Sequence, residues 1–201
     1  MVARGGYRAM YIRQAPKSFQ DLSYKEAMKR FIAAAEHPDA RPCESCTKPR
    51  VAGDFCSEPC QHAAKVISSE SDRYPIEPLV FPLVFALSRF NFIKPCWSCE
   101  GHNDQYGKLW KLPQVWFYTC SPCYAHLIGK FLWEMKKTKL IQYDWRVSLS
   151  AFGDLSCATY IIETALLPDN CELTELQLDL EVLANCFEAG VTGIAYRALM
   201  K

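Results

Sequence analysis

Cys96-Trp-Ser-Cys-Glu-Gly-His102, followed by an apolar run and then Cys120-Ser-Pro-Cys123, is the stretch that decides the predicted fold. Two Cys-x-x-Cys pairs about 20 residues apart are a strong zinc signature, because each pair places two thiolates within reach of one ion. Four thiolates complete a tetrahedron around that ion. The sequence therefore predicts a zinc site whose ligands are Cys96, Cys99, Cys120 and Cys123.

The first pair makes this prediction conditional on the local backbone. Cys96 and Cys99 are three residues apart, so a flat strand would direct their side chains to opposite faces. The pair has to bend as a knuckle to bind one ion. If the segment stays a regular strand, the two cysteines are core residues instead.

The residues downstream of the pairs predict strands and helices in alternation. Leu112–Thr119 and Trp145–Ala151 have the composition of strands, the second with Trp145, Val147 and Leu149 facing inward. Residues 157–166 fit either a strand or a short helix. Ser121 and Pro122 are typical of a helix start.

Three further helices are predicted from apolar spacing and capping residues. The helix over Ser23–Glu36 has Ser23 as its cap, and Leu79–Phe90 favours a buried helix, with a buried strand as the alternative. An acidic amphipathic helix begins at Leu173, and Gly190 and Gly193 are expected to interrupt it.

A second cysteine cluster lies upstream. It reads Cys43-Glu-Ser-Cys46, then eight residues, then Phe55-Cys56-Ser-Glu-Pro-Cys60. Residues 43–62 resemble short treble-clef zinc fingers of the FCS type, which combine a Cys-x-x-Cys knuckle, a tight hairpin and a Phe-Cys-Ser-x-x-Cys element at a helix start. The resemblance implies that this finger contacts protein or nucleic acid and holds a structural ion through Cys43, Cys46, Cys56 and Cys60.

A serine- and proline-containing segment around residues 68–78 is typical of a linker and divides the chain. We therefore predict two domains. Residues 1–70 form a basic arm, a helix and the treble-clef zinc finger. Residues 75–201 form an α+β domain, in which a small mixed or antiparallel sheet with helices surrounds the second zinc site. The cofactor prediction is two zinc ions.

Composition excludes several protein classes. Half of the 201 residues are hydrophobic, which excludes a disordered tail. The longest apolar run, Leu79–Leu87, contains a proline and is too short to span a bilayer, so no membrane partner is expected. The 11 cysteines, an odd number, and the lack of a secretory signal favour metal over disulfides and a cytoplasmic location.

Charge is unevenly distributed. Ten Lys or Arg and five Asp or Glu fall in residues 1–50, whereas residues 151–201 hold two basic and eight acidic residues. The basic N-terminal third fits a nucleic acid or ribonucleoprotein partner, and the acidic last helix fits a protein partner. A solvated surface and a flexible arm docked on its own domain are the alternatives. The residues proposed to contact nucleic acid are Arg4, Arg8, Arg13, Lys48 and Arg50.

Catalytic candidates are few. Glu100 and His102 flank a glycine turn beside the predicted second zinc site, where a carboxylate and a histidine could assist a zinc-bound water. Four cysteine ligands would leave that ion no open position, which favours a structural role. The sequence thus predicts a zinc-binding interaction or adaptor module, with a zinc-dependent hydrolase that uses the Glu100–His102 turn as the alternative.

Overall fold

The computed structural model describes residues 23–36, 67–69, 76–90, 92–119, 121–150 and 158–200. Within these ranges the chain forms four α-helices and two sheets. The elements are, in chain order, α1 (Tyr24–Glu36), β1 (Ile67–Ser68), α2 (Phe81–Ser88), β2 (Ile93–Cys99), β3 (His102–Asn103), β4 (Leu109–Lys111), β5 (Gln114–Thr119), α3 (Pro122–Lys137), β6 (Trp145–Ser150), β7 (Thr159–Thr164) and α4 (Leu173–Leu199).

The main sheet is five-stranded, in the order β1-β2-β5-β7-β6. The pairs β2–β5, β5–β7 and β7–β6 are antiparallel, whereas the two-residue β1 pairs in parallel with β2. Residues 157–166, for which the sequence allowed two structures, contain the strand β7. The predicted α+β class, with helices and a mainly antiparallel sheet, is confirmed. The β3–β4 hairpin was not predicted.

Local sequence signals set where the helices begin. The Ser23 hydroxyl accepts a hydrogen bond from the Glu26 N–H at 3.3 Å, and the Ser121 hydroxyl accepts one from the Cys123 N–H at 3.3 Å. Both serines satisfy an N–H group that has no partner within the first helical turn. The predicted caps of α1 and α3 are therefore confirmed.

One hydrophobic core joins elements from both predicted domains. The Phe31 ring of α1 stacks on Phe90 at 4.4 Å between centroids, and the Phe92 ring stacks on Tyr124 of α3 at 4.1 Å. Helix α1 and the residues after 75 thus share this core. The predicted boundary at residues 70–75 and the zinc finger lie outside the described residues. No helix within the described ranges combines the length and apolar character needed to cross a membrane.

The buried carboxylate of Asp179 on α4 forms hydrogen bonds with the connection between α3 and β6. Asp179 is 4% exposed and accepts hydrogen bonds from the Gln142 N–H at 2.8 Å and the Tyr143 N–H at 2.9 Å. The indole N–H of Trp145 donates a third, at 2.9 Å. These donors offset the cost of burying the charge and fix the start of β6 against α4.

The prediction that glycines interrupt the last helix is wrong. Helix α4 runs without a break from Leu173 to Leu199. A Cβ atom at Gly190 would lie 2.6 Å from two carbons of the Phe131 ring on α3. Gly190 therefore allows close approach of α3 and α4, and the packing of the two helices outweighs the low helix propensity of glycine.

The inward direction predicted for Leu149 is also wrong. Leu149 is 67% exposed, whereas Trp145 at the other end of β6 is 5% exposed. Strand β6 is the last strand of the sheet, and Leu149 lines an open groove beside α3 together with Trp133 and Tyr160. Alternation along β6 correctly predicted that Leu149 shares a face of the strand with Trp145. It could not show that α3 leaves the Leu149 end of this face exposed to solvent.

Replacing the two glycines of α4 by alanine should change the stability of the protein in opposite directions. Gly190→Ala should destabilise the protein by about 1–3 kcal/mol, because Phe131 is itself buried and cannot yield the space. Gly193→Ala is the matched control: its Cβ would meet only the Arg197 guanidinium at 3.5 Å, so it should stabilise the helix by about 0.5–1 kcal/mol. Urea unfolding of both variants tests this, and equal midpoints would contradict the packing explanation.

Candidate metal centre

Three side chains with metal-binding atoms converge at one end of β2. One ligand atom from each of Glu77, Cys99 and His102 lies within 4.8 Å of the other two, and we call these residues the metal group. Glu77 precedes α2, Cys99 ends β2 and His102 begins β3. Glu77 is 1% exposed, Cys99 is 0% exposed and His102 is 18% exposed. The group is buried, with His102 as its solvent-facing side.

Three hydrogen-bond donors from two segments of the chain hold the Glu77 carboxylate. Its Oε1 accepts from the hydroxyls of Ser68 at 3.1 Å and Ser69 at 2.7 Å. Its Oε2 accepts from the backbone N–H of Glu100 at 2.6 Å. A buried carboxylate with this many donors is compensated for its lost hydration, so Glu77 links the end of β1, the start of α2 and the β2–β3 turn.

His102 lies at the distance from Glu77 that a shared ion requires. Its Nε2 is 3.5 Å from Glu77 Oε1 and 3.2 Å from the Ser69 hydroxyl oxygen. Two ligand atoms bound to zinc at about 2.0–2.1 Å in a tetrahedron are roughly 3.3 Å apart. Only a small adjustment of either side chain would therefore place both atoms on one zinc ion.

In the absence of a metal, the surroundings of Cys99 favour the protonated thiol over the thiolate. Burial raises the pKa of the Cys99 thiol, while hydrogen bonds from Ser69 and the Gly101 N–H, and the charge of Lys111, act in the opposite direction. A divalent cation replaces such a proton, because the thiolate is the form that coordinates metal.

The turn that carries Cys99 and His102 is fixed in place. Gly101 has a φ of +86°, and a Cβ atom there would lie 2.7 Å from Leu173 and 2.9 Å from Pro113. The Gln177 side chain of α4 also donates to the Glu100 carbonyl at 3.2 Å. The spacing of the metal group is thus set by packing against α4, as a preformed site requires.

The three donor types define what the metal group could hold. A carboxylate oxygen, a thiolate sulfur and an imidazole nitrogen are all zinc ligands, and this mixed set suits a borderline cation better than Mg²⁺ or Ca²⁺. Three protein ligands fill three of the four positions of a tetrahedral ion.

The predicted quartet of cysteines is only partly described. Cys96 and Cys123 do not belong to the metal group, and Cys120 lies outside the described residues. The segment with the first pair is a strand, but its register shifts between Pro95 and Trp97, so simple alternation does not decide the relative direction of Cys96 and Cys99. Both cysteines are buried. The four-cysteine site stays a prediction.

The other predicted site residues have varied positions. The Glu100 carboxylate accepts a hydrogen bond from the Leu79 N–H at 2.8 Å. The backbone N–H of Glu100 donates to the Glu77 carboxylate. His102 is the member of the predicted catalytic pair that joins the metal group. The residues that lie outside the described part of the chain are Arg4, Arg8, Arg13, Lys48, Arg50, Cys43, Cys46, Cys56 and Cys60.

Glu77 and Ser69 were not predicted as site residues. Glu77 is an acidic residue in the otherwise apolar segment Ile76-Glu-Pro-Leu-Val80, which is the one sequence signal that could have marked a buried carboxylate. Ser69 carried no signal, since its segment was interpreted as a linker.

No family model, curated protein or solved structure matches this chain. The function of the chain is therefore inferred from the geometry of the site and from the sequence.

The buried Cys96 thiol predicts a pH effect in the metal-free protein. Burial raises the pKa of Cys96 from 9.0 to about 12. Between these values the unfolded chain loses the proton that the folded chain keeps, so stability falls as pH rises. The free energy of unfolding should therefore fall between pH 7 and pH 10, and Cys96→Ala should make this fall smaller by about 1 kcal/mol.

Urea unfolding of the wild type and Cys96→Ala at both pH values measures this difference. If Cys96 instead binds zinc as a thiolate, the substitution would lower the metal content and leave the alkaline slope unchanged. That result would contradict the buried neutral thiol.

Proposed function

We propose that this protein is a zinc-binding interaction module, in which an ion held by Glu77, Cys99 and His102 stabilises the sheet end that carries them. The observation that supports this proposal is the convergence of three donor atoms within 4.8 Å, two of them on the β2–β3 turn and the third on Glu77 before α2. The ion would join the start of α2, the end of β2 and the start of β3, which are separate segments of the chain. Structural zinc contributes folding free energy in this way, since no such site exists in the unfolded chain.

The partner of the module is proposed from the sequence. The FCS-type finger and the basic residues around it suit contacts with nucleic acid or a ribonucleoprotein. The acidic face of α4 is less available for a protein partner than its composition suggested. Asp179 is buried, Glu175 accepts hydrogen bonds from Tyr143 and Gln142, and Glu188 pairs with Arg89.

A zinc-dependent hydrolase is the second candidate function, and one observation favours it. The metal group supplies three protein ligands, the number found in catalytic zinc sites that bind water in the fourth position. His102 also reaches the surface of the group. In this alternative Glu77, Cys99 and His102 would hold the ion, and the ion would supply an activated water.

The decisive variants remove one donor each. We expect Cys99→Ala, Glu77→Gln and His102→Ala to lose one zinc ion per chain, because each loses a coordination bond. Metal content by mass spectrometry after purification without added metal is the measurement. Cobalt(II) substitution adds a readout of the Cys99 ligand, because a thiolate–cobalt bond gives its own charge-transfer absorption. The contribution of Cys99 is the part of this absorption that the wild type shows and Cys99→Ala lacks, since the cysteines of the predicted finger would absorb in both proteins.

Two variants serve as matched controls. His126→Ala removes a histidine on α3, and Cys186→Ala removes a cysteine on α4, and neither residue belongs to the metal group. Both should keep the zinc content of the wild type. Unchanged zinc in Cys99→Ala and His102→Ala would contradict the proposed site and leave Glu77 as a buried, hydrogen-bonded carboxylate.

The proposed nucleic-acid contact has a separate test. Replacing Arg4, Arg8 and Arg13 together by Ala should weaken binding to single-stranded RNA and reduce its salt dependence, because fewer phosphate charges are neutralised. Fluorescence anisotropy at several salt concentrations measures both quantities. Zinc content should stay the same, and equal affinity of the triple variant and the wild type would contradict the contact.

A further inference from the structure

A lysine lies directly beside the metal group. Lys111 on β4 is the cross-strand partner of His102 on β3, so the two side chains leave the hairpin on the same face. The Trp110 ring lies 6.5 Å from the His102 ring, between centroids. Lys111 is thus part of the same surface as the solvent-facing member of the metal group.

Two indole rings hold the Lys111 ammonium group. Its Nζ lies 5.2 Å from the centroid of the Trp97 ring and 5.7 Å from that of Trp110. Trp97 is two residues before Cys99 on β2 and therefore lies on the same strand face as Cys99. Cation–π contacts of this kind position a lysine while leaving its charge intact.

The positive charge of Lys111 is not neutralised by a carboxylate within the described ranges, where it forms no ion pair. Its neighbour Lys108 differs, because its Nζ is 2.8 Å from Asp169. The two lysines of one hairpin thus provide a test residue and a control residue.

The charges at the metal group indicate the sign of a fourth ligand. A divalent ion with the Glu77 carboxylate, the Cys99 thiolate and a neutral His102 carries no net charge. Lys111 adds one positive charge next to it. A local excess of positive charge in a partly buried site favours an anion over a neutral ligand.

We propose that the metal group and Lys111 together form a binding site for a small oxyanion, a phosphate or carboxylate group, with one anionic oxygen on the ion and Lys111 stabilising its charge. This inference rests on the proposed metal site. It names the ligand class that the fourth coordination position takes, whether the module binds that ligand or converts it.

The test uses the cobalt(II)-substituted full-length protein, with inorganic phosphate and acetate as separate probes. Each anion should change the visible d–d absorption of the bound cobalt in the wild type. Lys111→Met, which keeps an apolar side chain between the indoles, should weaken anion binding about tenfold and leave the thiolate–cobalt absorption unchanged. Lys108→Met carries the same charge change and should alter anion affinity less than about twofold.

The outcomes separate this inference from the proposed metal site. If the Cys99-dependent thiolate–cobalt absorption is present but neither anion changes the spectrum, or if Lys111→Met binds both as the wild type does, the oxyanion site is wrong and the metal site stands. If the wild type shows no thiolate–cobalt absorption beyond that of Cys99→Ala, both proposals are wrong. A response to phosphate alone or to acetate alone supports the site and identifies which oxyanion it accepts.

Discussion

The buried carboxylate of Glu77 is the constraint on which the candidate site depends. Removing a carboxylate from water is costly unless hydrogen bonds replace its hydration, and here two serine hydroxyls and one backbone N–H do so. These donors belong to the β1 segment and to the β2–β3 turn, so satisfying Glu77 brings those segments together. His102 and Cys99 are then placed around the same carboxylate. A second buried carboxylate, Asp179, has the same role at the opposite edge of the sheet, where it orders the start of β6.

Local chemistry explains what the sequence could predict. The caps at Ser23 and Ser121 and the strand β5 follow from residues close in sequence, and the structure confirms them. The errors arise at residues whose structure or exposure depends on an element that is distant in sequence. Gly190 was expected to break a helix, but the ring of Phe131 on α3 explains its presence. Leu149 was expected to face the core, but α3 does not extend over it.

The candidate site shows the same limit. Cys99 and His102 were singled out by their Cys-x-x-Cys and glycine-turn contexts, yet neither context indicated that they share a site with Glu77. That association depends on the packing of the β2–β3 turn against α4 through Gly101 and Gln177. A three-donor site with Lys111 beside it differs in chemistry from a closed site of four cysteines, because it retains a position for an external ligand. The proposed ion would thus combine a structural role with ligand binding at one place in the fold.

Anomalous X-ray diffraction at the zinc absorption edge, from crystals of the zinc-loaded protein, tests the central claim most directly. The account predicts an anomalous peak within bonding distance of Glu77 Oε1, Cys99 Sγ and His102 Nε2, with one further ligand completing the tetrahedron. A zinc-loaded crystal without a peak at that position would contradict the account. So would a peak surrounded by Cys96, Cys99, Cys120 and Cys123, because Cys99 would then belong to the four-cysteine site and Glu77 would be a structural carboxylate alone.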